Sequence, residues 1–142
     1  MKKLREIMTP EVRSINPMAS VKNASDMMRS LDLSILPVCQ DGKIQGAITD
    51  RDMTLLVAAG LDPDTTSVKD IMNPYAAILT EEDSLQAAKR VMEEKATHWI
   101  LVTDRDRNLV GIISLGKIAR TDGERAAGKV VSNISRPKRS VG

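Results

Sequence analysis

Residues Gly46-Ala-Ile-Thr-Asp-Arg-Asp52 decide how this chain of 142 residues is interpreted. Small and apolar residues lead to a hydroxyl at Thr49, and an acid follows three residues later at Asp52. This order is typical of a strand that ends where a helix begins, with Thr49 as the helix N-cap and Asp52 completing a capping box. The same geometry suits a ligand, because a helix N-terminus offers free N–H groups to phosphate and a carboxylate accepts hydrogen bonds from ribose hydroxyls. Both interpretations stay open from this stretch alone.

The stretch returns in altered form as Gly111-Ile-Ile-Ser-Leu-Gly-Lys117, at an offset of 65 residues. Upstream, Met8-Thr-Pro10 returns as Met72-Asn-Pro74 at an offset of 64, with one residue inserted in a polar turn of the second copy. Such self-similarity indicates two copies of one structural unit. The hydroxyl is kept as Ser114, but Lys117 stands where the first copy has an acid, so the copies are chemically unequal.

Each copy predicts the same order of elements: an extended piece, an amphipathic helix, two strands joined by a turn, and a second helix. The predicted ranges are 12–15, 21–31, 35–39, 43–49 and 50–59 in the first copy, and 77–79, 85–95, 99–103, 109–114 and a short helix from 115 in the second. In the helix over 50–59, Met53, Leu56 and Val57 are expected to share one face, and Gly60 is the expected stop. A further helix is predicted over 123–134.

We assign residues 7–62 to the first repeat, 68–121 to the second, and 122–142 to a C-terminal helix and basic tail. A unit of about 64 residues buries too little surface to be stable alone, so the two units are expected to pack against each other. Apolar faces that this packing leaves exposed are expected to be covered by a second chain. A homodimer is therefore predicted.

The composition argues against nucleic-acid binding. The chain has no Phe, one Tyr and one Trp, so bases would find almost no aromatic ring on which to stack. Six of the 21 basic residues lie in the tails, at Lys2, Lys3, Arg5, Arg136, Lys138 and Arg139. The body from 6 to 135 carries the other 15 basic residues against 19 acids, a charge of −4 where a nucleic-acid binder needs a basic face.

Chemistry that needs several cysteines or histidines is not expected. Cys39 and His98 are single in the chain, so no intrachain disulfide and no metal site are predicted. Cys39 has two interpretations, a small buried residue or an exposed reactive thiol that links two chains. No nucleophile–base set supports catalysis, so we predict that the protein is not an enzyme. No apolar run approaches the ~20 residues that span a bilayer, and a cytoplasmic protein without membrane contact is expected.

The repeat, Leu36-Pro-Val38 and the stretch from Gly46 to Asp52 together resemble a CBS-domain pair, also called a Bateman module. The resemblance covers roughly residues 7–120 and is to stand-alone bacterial proteins of the hypoxic-response type. It implies an α+β fold of two β-α-β-β-α units that pack with pseudo-twofold symmetry. It also implies a regulatory module without catalysis, which binds adenosyl ligands and signals to a separate effector protein.

The same resemblance implies where the ligand lies. Thr49 and Asp52 match the residues that touch phosphate and ribose, and the expected ligands are AMP, ADP or ATP, with S-adenosylmethionine and NAD as further candidates. The other repeat is expected to contribute Ala77, Thr97 and His98, and Ser34 holds the place of His98 in the first repeat. A weaker second site would use Arg13, Leu33, Ser114 and Lys117, since a lysine cannot accept a hydrogen bond from ribose.

Three rival functions stay open at this point. The first is a ligand-free structural or interaction module that dimerises. The second, a variant of the first, is a dimer with a redox link through Cys39. The third is nucleic-acid binding through the basic tails, which the acidic body disfavours.

Overall fold

Two short hairpins, one in each repeat, organise the fold, and the computed structural model describes residues 2–122 of it. The predicted helix over 123–134 and the basic tail lie outside the described residues. Contacts divide the chain into a unit formed by Arg13–Ala76 and a unit formed by residues 2–12 and 77–122. Each unit combines helices with a small sheet, which confirms the α+β class and the tandem organisation.

The unit Arg13–Ala76 contains the two-stranded sheet. Its elements in chain order are α1 (Val21–Ser30), β1 (Ile35–Gln40), β2 (Lys43–Thr49), α2 (Asp50–Ala58) and α3 (Val68–Ile71). The strands pair antiparallel, and Asp41 and Gly42 make the turn with φ of 53° and 80°, the two left-handed residues of a tight hairpin. The core of this unit consists of Ile15, Ala24, Met28, Leu36, Val38, Ile48 and Val68.

The second unit contains a three-stranded sheet. Its elements are a short 3-10 helix (Leu4–Glu6), β3 (Ile78–Thr80), α4 (Leu85–Lys95), β4 (Trp99–Thr103), β5 (Leu109–Ser114) and α5 (Leu115–Asp122). Strand β4 lies in the middle, parallel to β3 and antiparallel to β5. Its core consists of Leu4, Ile7, Ala77, Leu85, Ala88, Met92, Ile100, Val102, Ile113, Leu115 and Ile118.

The first helices of the two repeats begin in the same way. Ser20 and Ser84 are their N-caps, and each hydroxyl accepts a hydrogen bond of 3.1 Å from the backbone N–H three residues on. Both helices bury apolar residues spaced three and four apart, as the sequence predicted. Each ends at a left-handed residue, Asp32 with φ of 55° and Ala96 with φ of 50°, and these positions are related by the 64-residue repeat.

The repeated Met-x-Pro segments pair with the second strand of each hairpin, but in exchanged order. Asn73 exchanges two backbone hydrogen bonds with Ala47 on β2, at 2.8 and 3.1 Å. Thr9, near the start of the first repeat, makes the matching pair with Ile112 on β5, at 2.9 and 3.0 Å. The segment at the start of each repeat therefore belongs to the unit built mainly from the other repeat.

Three details differ from the sequence predictions. Val57 is 73% exposed, so its placement on a buried face with Leu56 is wrong. Successive helix residues are about 100° apart, and the buried side of α2 lies around Leu56, which turns Val57 outward. The extended piece over 12–15 forms only an isolated bridge between Ile15 and Val38. The short helix α3 was not predicted.

Within residues 2–122, every helix is too short or too polar to cross a lipid bilayer.

Candidate functional site

The junction of β2 and α2 places Thr49 and Asp52 side by side. Thr49 is the N-cap of α2, with extended backbone angles, and Asp52 occupies the third helical position. The Asp52 carboxylate reaches back and accepts hydrogen bonds from the Thr49 N–H at 2.8 Å and from the Thr49 hydroxyl at 3.1 Å. The predicted capping arrangement is therefore confirmed. Both side chains are half-buried, so water or a ligand can still reach them.

Both of these bonds end on the same carboxylate oxygen, Oδ2 of Asp52. An ionised carboxylate has two oxygens and about four acceptor positions, so capping uses only part of its capacity. Oδ1 can accept hydrogen bonds from a ligand while Oδ2 holds the helix start. The cap and the ligand site are thus compatible.

Ser34 lies beside this junction because of the hairpin register. It directly precedes Ile35, which pairs with Thr49 across the sheet. The Ser34 carbonyl accepts a long hydrogen bond, 3.4 Å, from the N–H of Asp50, the first residue of α2. Ser34, Thr49 and Asp52, three of the predicted ligand residues, are therefore brought together within the unit Arg13–Ala76.

The matching junction of β5 and α5 has the same backbone plan and different side chains. The Ser114 hydroxyl accepts a hydrogen bond of 3.0 Å from the Lys117 N–H, and the His98 carbonyl accepts one of 2.9 Å from the Leu115 N–H. Thr97 is next to His98, and its hydroxyl accepts from the Trp99 N–H at 3.3 Å. A lysine at the third helical position cannot accept a hydrogen bond from the N–H of the N-cap residue, and its charge is unfavourable beside the positive end of the helix dipole.

The remaining predicted residues divide between the units. Ala77 is buried next to β3, and its carbonyl accepts a hydrogen bond of 2.9 Å from the Leu101 N–H. Arg13 is exposed, and Leu33 is a half-buried residue that packs on the core of the unit Arg13–Ala76. The combination of Thr49 and Asp52 with Ala77, Thr97 and His98 stays a prediction.

The redox alternative through Cys39 is not favoured by its surroundings. Cys39 is buried at the end of β1, with 8% of its surface exposed. Burial raises the pKa of the Cys39 thiol, and a hydrogen bond with Ser14 opposes part of this rise. Since the thiolate is the reactive form, a buried thiol with a raised pKa is a poor candidate for linking two chains. The interpretation of Cys39 as a small buried residue is supported.

Sequence reasoning missed the role of Gly46 in the motif. A Cβ built on Gly46 would lie 2.6 Å from the carbonyl oxygen of Asn73, so only glycine allows this backbone to come so close to β2. Gly111 holds the same place on β5, where a Cβ would meet the Met8 side chain. The sequence contains a signal for this role. The glycine recurs as Gly46 and Gly111, and the Met-x-Pro segment recurs at nearly the same offset as Met8-Thr-Pro10 and Met72-Asn-Pro74.

The family model of the CBS domain matches this chain twice, over residues 4–59 and 68–124. The chain belongs to the CBS-domain family. CBS domain-containing protein YhcV of Bacillus subtilis is 28% identical over 136 residues, which cover 95% of this chain and 96% of YhcV. Hypoxic response protein 1 of Mycobacterium tuberculosis is 33% identical over 135 residues, 94% of each chain. The resemblance to the hypoxic-response type is confirmed, and the chain is a CBS-domain regulatory module.

Solved CBS structures agree with this fold. Hypoxic Response Protein I, solved with two coordinated zinc ions, has a TM-score of 0.78 and 32% identity and covers 84% of this chain and 98% of its own. CBSX2, solved in complex with AMP, has a TM-score of 0.74 and 23% identity and covers 86% of this chain and 96% of its own. In the described part of this CBS pair, no three His, Cys, Asp or Glu side chains are grouped to hold a metal ion.

Proposed function

We propose that this CBS module binds an adenine nucleotide, AMP, ADP or ATP, at the start of α2. Binding stabilises one of two conformations, and a separate effector protein responds to the change. The observation that carries the proposal is the pairing of Thr49 with Asp52 at an N-terminus that directly follows a strand. The module itself performs no reaction.

The start of α2 supplies what a phosphate group needs. The first N–H groups of a helix have no partner within the helix, and its dipole places partial positive charge there. The Asp50 N–H makes only the 3.4 Å bond to Ser34, so a phosphate oxygen can compete for it. The Ser34 hydroxyl lies at the same junction and can donate to the same oxygens, whereas the Thr49 hydroxyl has to turn away from Oδ2 of Asp52 before it can donate to them.

Asp52 supplies what the ribose needs. Two vicinal hydroxyls are donors, and Oδ1 of Asp52 can accept from them without loss of the two bonds that end on Oδ2. Hydrogen bonds to a charged acceptor are the strong ones, worth about 1.5–3 kcal/mol. CBSX2, whose structure contains AMP, shares the fold of this chain, and this supports an adenine nucleotide as the ligand class.

Ala77, Thr97 and His98 are proposed as further ligand residues on the strength of the family resemblance alone. The weaker site is proposed at Ser114 and Lys117, with Arg13 and Leu33. Lys117 can pair with a phosphate but cannot accept from ribose, so this site is expected to bind nucleosides less tightly.

A homodimer is proposed as the working form. Helix α2 exposes Leu55 and Val57 to solvent, with 56% and 73% of their surface accessible, and Leu61 follows with 46%. Exposed apolar groups this close together on one segment are typical of an interaction surface. This proposal is independent of the nucleotide, and light scattering of the purified protein tests it.

Calorimetric titration of Asp52→Ala against wild type tests the nucleotide site. The ligands are AMP, ADP, ATP, S-adenosylmethionine and NAD, each measured separately. Loss of the charged acceptor is expected to weaken the preferred nucleotide about 10- to 100-fold, the equivalent of about 1.5–3 kcal/mol. Equal affinity in both proteins would contradict the assignment of the site, and no binding of any ligand would contradict the proposed function.

Asp83→Ala is the matched control. Asp83 accepts from the N–H and hydroxyl of Thr80 at 2.8 and 3.2 Å, nearly the same geometry as Asp52 with Thr49. It lies in the loop before α4 and belongs to no proposed site. Asp83→Ala removes an equivalent pair of hydrogen bonds, so nucleotide affinity should stay at the wild-type value. An equal loss in both variants would mean that Asp52 acts through stability alone.

A further inference from the structure

Residues 2–9 form an arm that packs on residues 77–122 and belongs to the same unit as they do. Leu4 in the arm is fully buried, and Ile7 is 6% exposed; both belong to the core of α4, β4 and β5. Met8 packs against the same core. The arm therefore completes the hydrophobic core that residues 77–122 form.

Backbone hydrogen bonds fasten the arm at both ends. Near its start, the Leu85 N–H donates to the Lys2 carbonyl at 3.0 Å, and the Leu4 N–H donates to the Asp83 carbonyl at 2.9 Å. At its end, Thr9 is paired with Ile112 on the free edge of β5. These bonds and bridges attach the arm to the unit on both sides of the 3-10 helix Leu4–Glu6.

Opposite charges add a further fastening. The Lys3 ammonium and the Arg5 guanidinium both contact the Glu82 carboxylate, at 2.7 and 2.8 Å. The two cations lower the pKa of Glu82, the hydrogen bond from Lys3 contributing most. The docking surface is thus defined in three ways, by apolar contact, by backbone pairing and by charge.

The residues after the arm form a strained hinge. Glu11 is exposed and has φ of 55°, in the left-handed region that a residue with a Cβ disfavours. It follows Pro10, and the chain passes from one unit to the other directly after Val12. Tyr75 holds the matching place, 64 residues later, just before the chain passes back after Ala76 to the unit that contains the arm, and its φ is negative. The left-handed residue is therefore found at Glu11 and not at the matching position of the second repeat.

We propose that the arm is exchangeable: the arm of one copy docks on residues 77–122 of a second copy by the same contacts that it makes within its own chain. Short strained hinges favour such exchange, since an extended hinge relieves the strain and the docking contacts are unchanged. The partner is a second copy of this chain, and the exchanged form increases with protein concentration. The inference needs no nucleotide and stands apart from the proposed function.

Disulfide trapping between two different variants tests the exchange. One protein carries Thr9→Cys and the other Ile112→Cys, each with Cys39→Ala. Hydrogen-bonded antiparallel partners have Cα atoms about 5.5 Å apart, within the about 4.4–6.8 Å that a disulfide spans. The two proteins are unfolded together in urea, refolded at increasing concentration and oxidised. Mass spectrometry of proteolytic peptides then measures the disulfide between positions 9 and 112, which can form only between copies.

We expect this disulfide to increase at least in proportion to protein concentration. The control pair is Ala47→Cys with Asn73→Cys, the matching bridge inside the unit Arg13–Ala76, and it should give no link between copies. The absence of the 9–112 disulfide at the highest concentration, or an equal yield from the control pair, would overturn the proposal. Glu11→Gly, added to both cysteine variants, is a second test. It removes the hinge strain, so the yield of the 9–112 disulfide should fall at every protein concentration, and an unchanged yield would also overturn the proposal.

Discussion

The starts of α2 and α5 share one backbone plan and differ in the side chain three residues after the N-cap. Each follows a strand with a glycine three residues before its end, Gly46 or Gly111, and each has an N-cap hydroxyl, Thr49 or Ser114. In α2 the third helical residue is Asp52, which bonds back to the N-cap. In α5 it is Lys117, which cannot. The fold therefore keeps the geometry of both junctions while the chemistry offered to a ligand differs.

The difference indicates that backbone support and ligand chemistry are set by separate residues. Gly46 and Gly111 hold matching places beside a Met-x-Pro segment that pairs with the motif strand, but a Cβ would meet backbone atoms at Gly46 and the Met8 side chain at Gly111. Asp52 and Lys117 take no part in that pairing. Substitutions at the glycines should change stability alone, whereas substitutions at the acid and the lysine should change both ligand binding and helix capping.

The largest expected effect is on stability at the two glycines. The Gly46→Ala methyl group would meet the backbone of Asn73 and Pro74, which cannot move without loss of the Ala47–Asn73 pair, so we expect a loss of about 1–3 kcal/mol. The Gly111→Ala methyl group meets the flexible side chain of Met8, so we expect a loss of less than about 1 kcal/mol. Urea unfolding of both variants measures the difference. Equal losses would show that the two glycines are under the same constraint.

Much of this arrangement is local and could be predicted from the sequence. The hairpin strand β2 has the predicted bounds, because Lys43–Thr49 is bounded by a glycine turn and a helix cap. The exchange of the Met-x-Pro segments could not be predicted. The pattern shows that Met8-Thr-Pro10 and Met72-Asn-Pro74 are equivalent, but their pairing partners are distant in sequence and depend on tertiary packing.

The candidate site was predicted more completely in its residues than in its hydrogen bonds. Thr49 and Asp52 were identified because a hydroxyl and an acid at this spacing form a recognisable cap. That Asp52 uses one oxygen for both bonds follows from side-chain rotation, about which the sequence carries no information. The outward position of Val57 was missed because the apolar spacing of Met53, Leu56 and Val57 does not define how wide the buried face of α2 is.

An intermediate effect is expected when Lys117 is replaced by aspartate. Lys117→Asp gives α5 the acid that α2 has, and a capping acid that also suits the helix dipole should stabilise the protein by about 0.5–1.5 kcal/mol. Lys117→Ala is the control, since it removes the lysine without adding an acceptor, and it should give less than half of the gain. Thermal unfolding measures both. A destabilised Lys117→Asp would mean that the lysine has a favourable contact that outweighs the cap.

The smallest effect is expected at Glu82, whose carboxylate pairs with Lys3 and Arg5 of the arm. Its pKa is lowered in the folded protein, chiefly by the hydrogen bond from Lys3, so its contribution to stability is present at neutral pH. The contribution should be lost as the pH falls below about 4.3, the ordinary value for a glutamate, and through the lower value of the folded state. Urea midpoints of wild type and Glu82→Gln should therefore converge in acid and in high salt. A constant difference at all pH values would exclude the ion pair as its cause.

The comparison between the two helix starts is tested most directly by the number of nucleotide molecules that one chain binds. Isothermal titration of the wild-type protein with the preferred adenine nucleotide measures this number. The account predicts one dominant site per chain because, of the two helix starts, α2 offers ribose a carboxylate at its third residue and α5 has a lysine there. Two sites of equal affinity would contradict the claim that Lys117 makes the repeats unequal, and no bound nucleotide would contradict the proposed function itself.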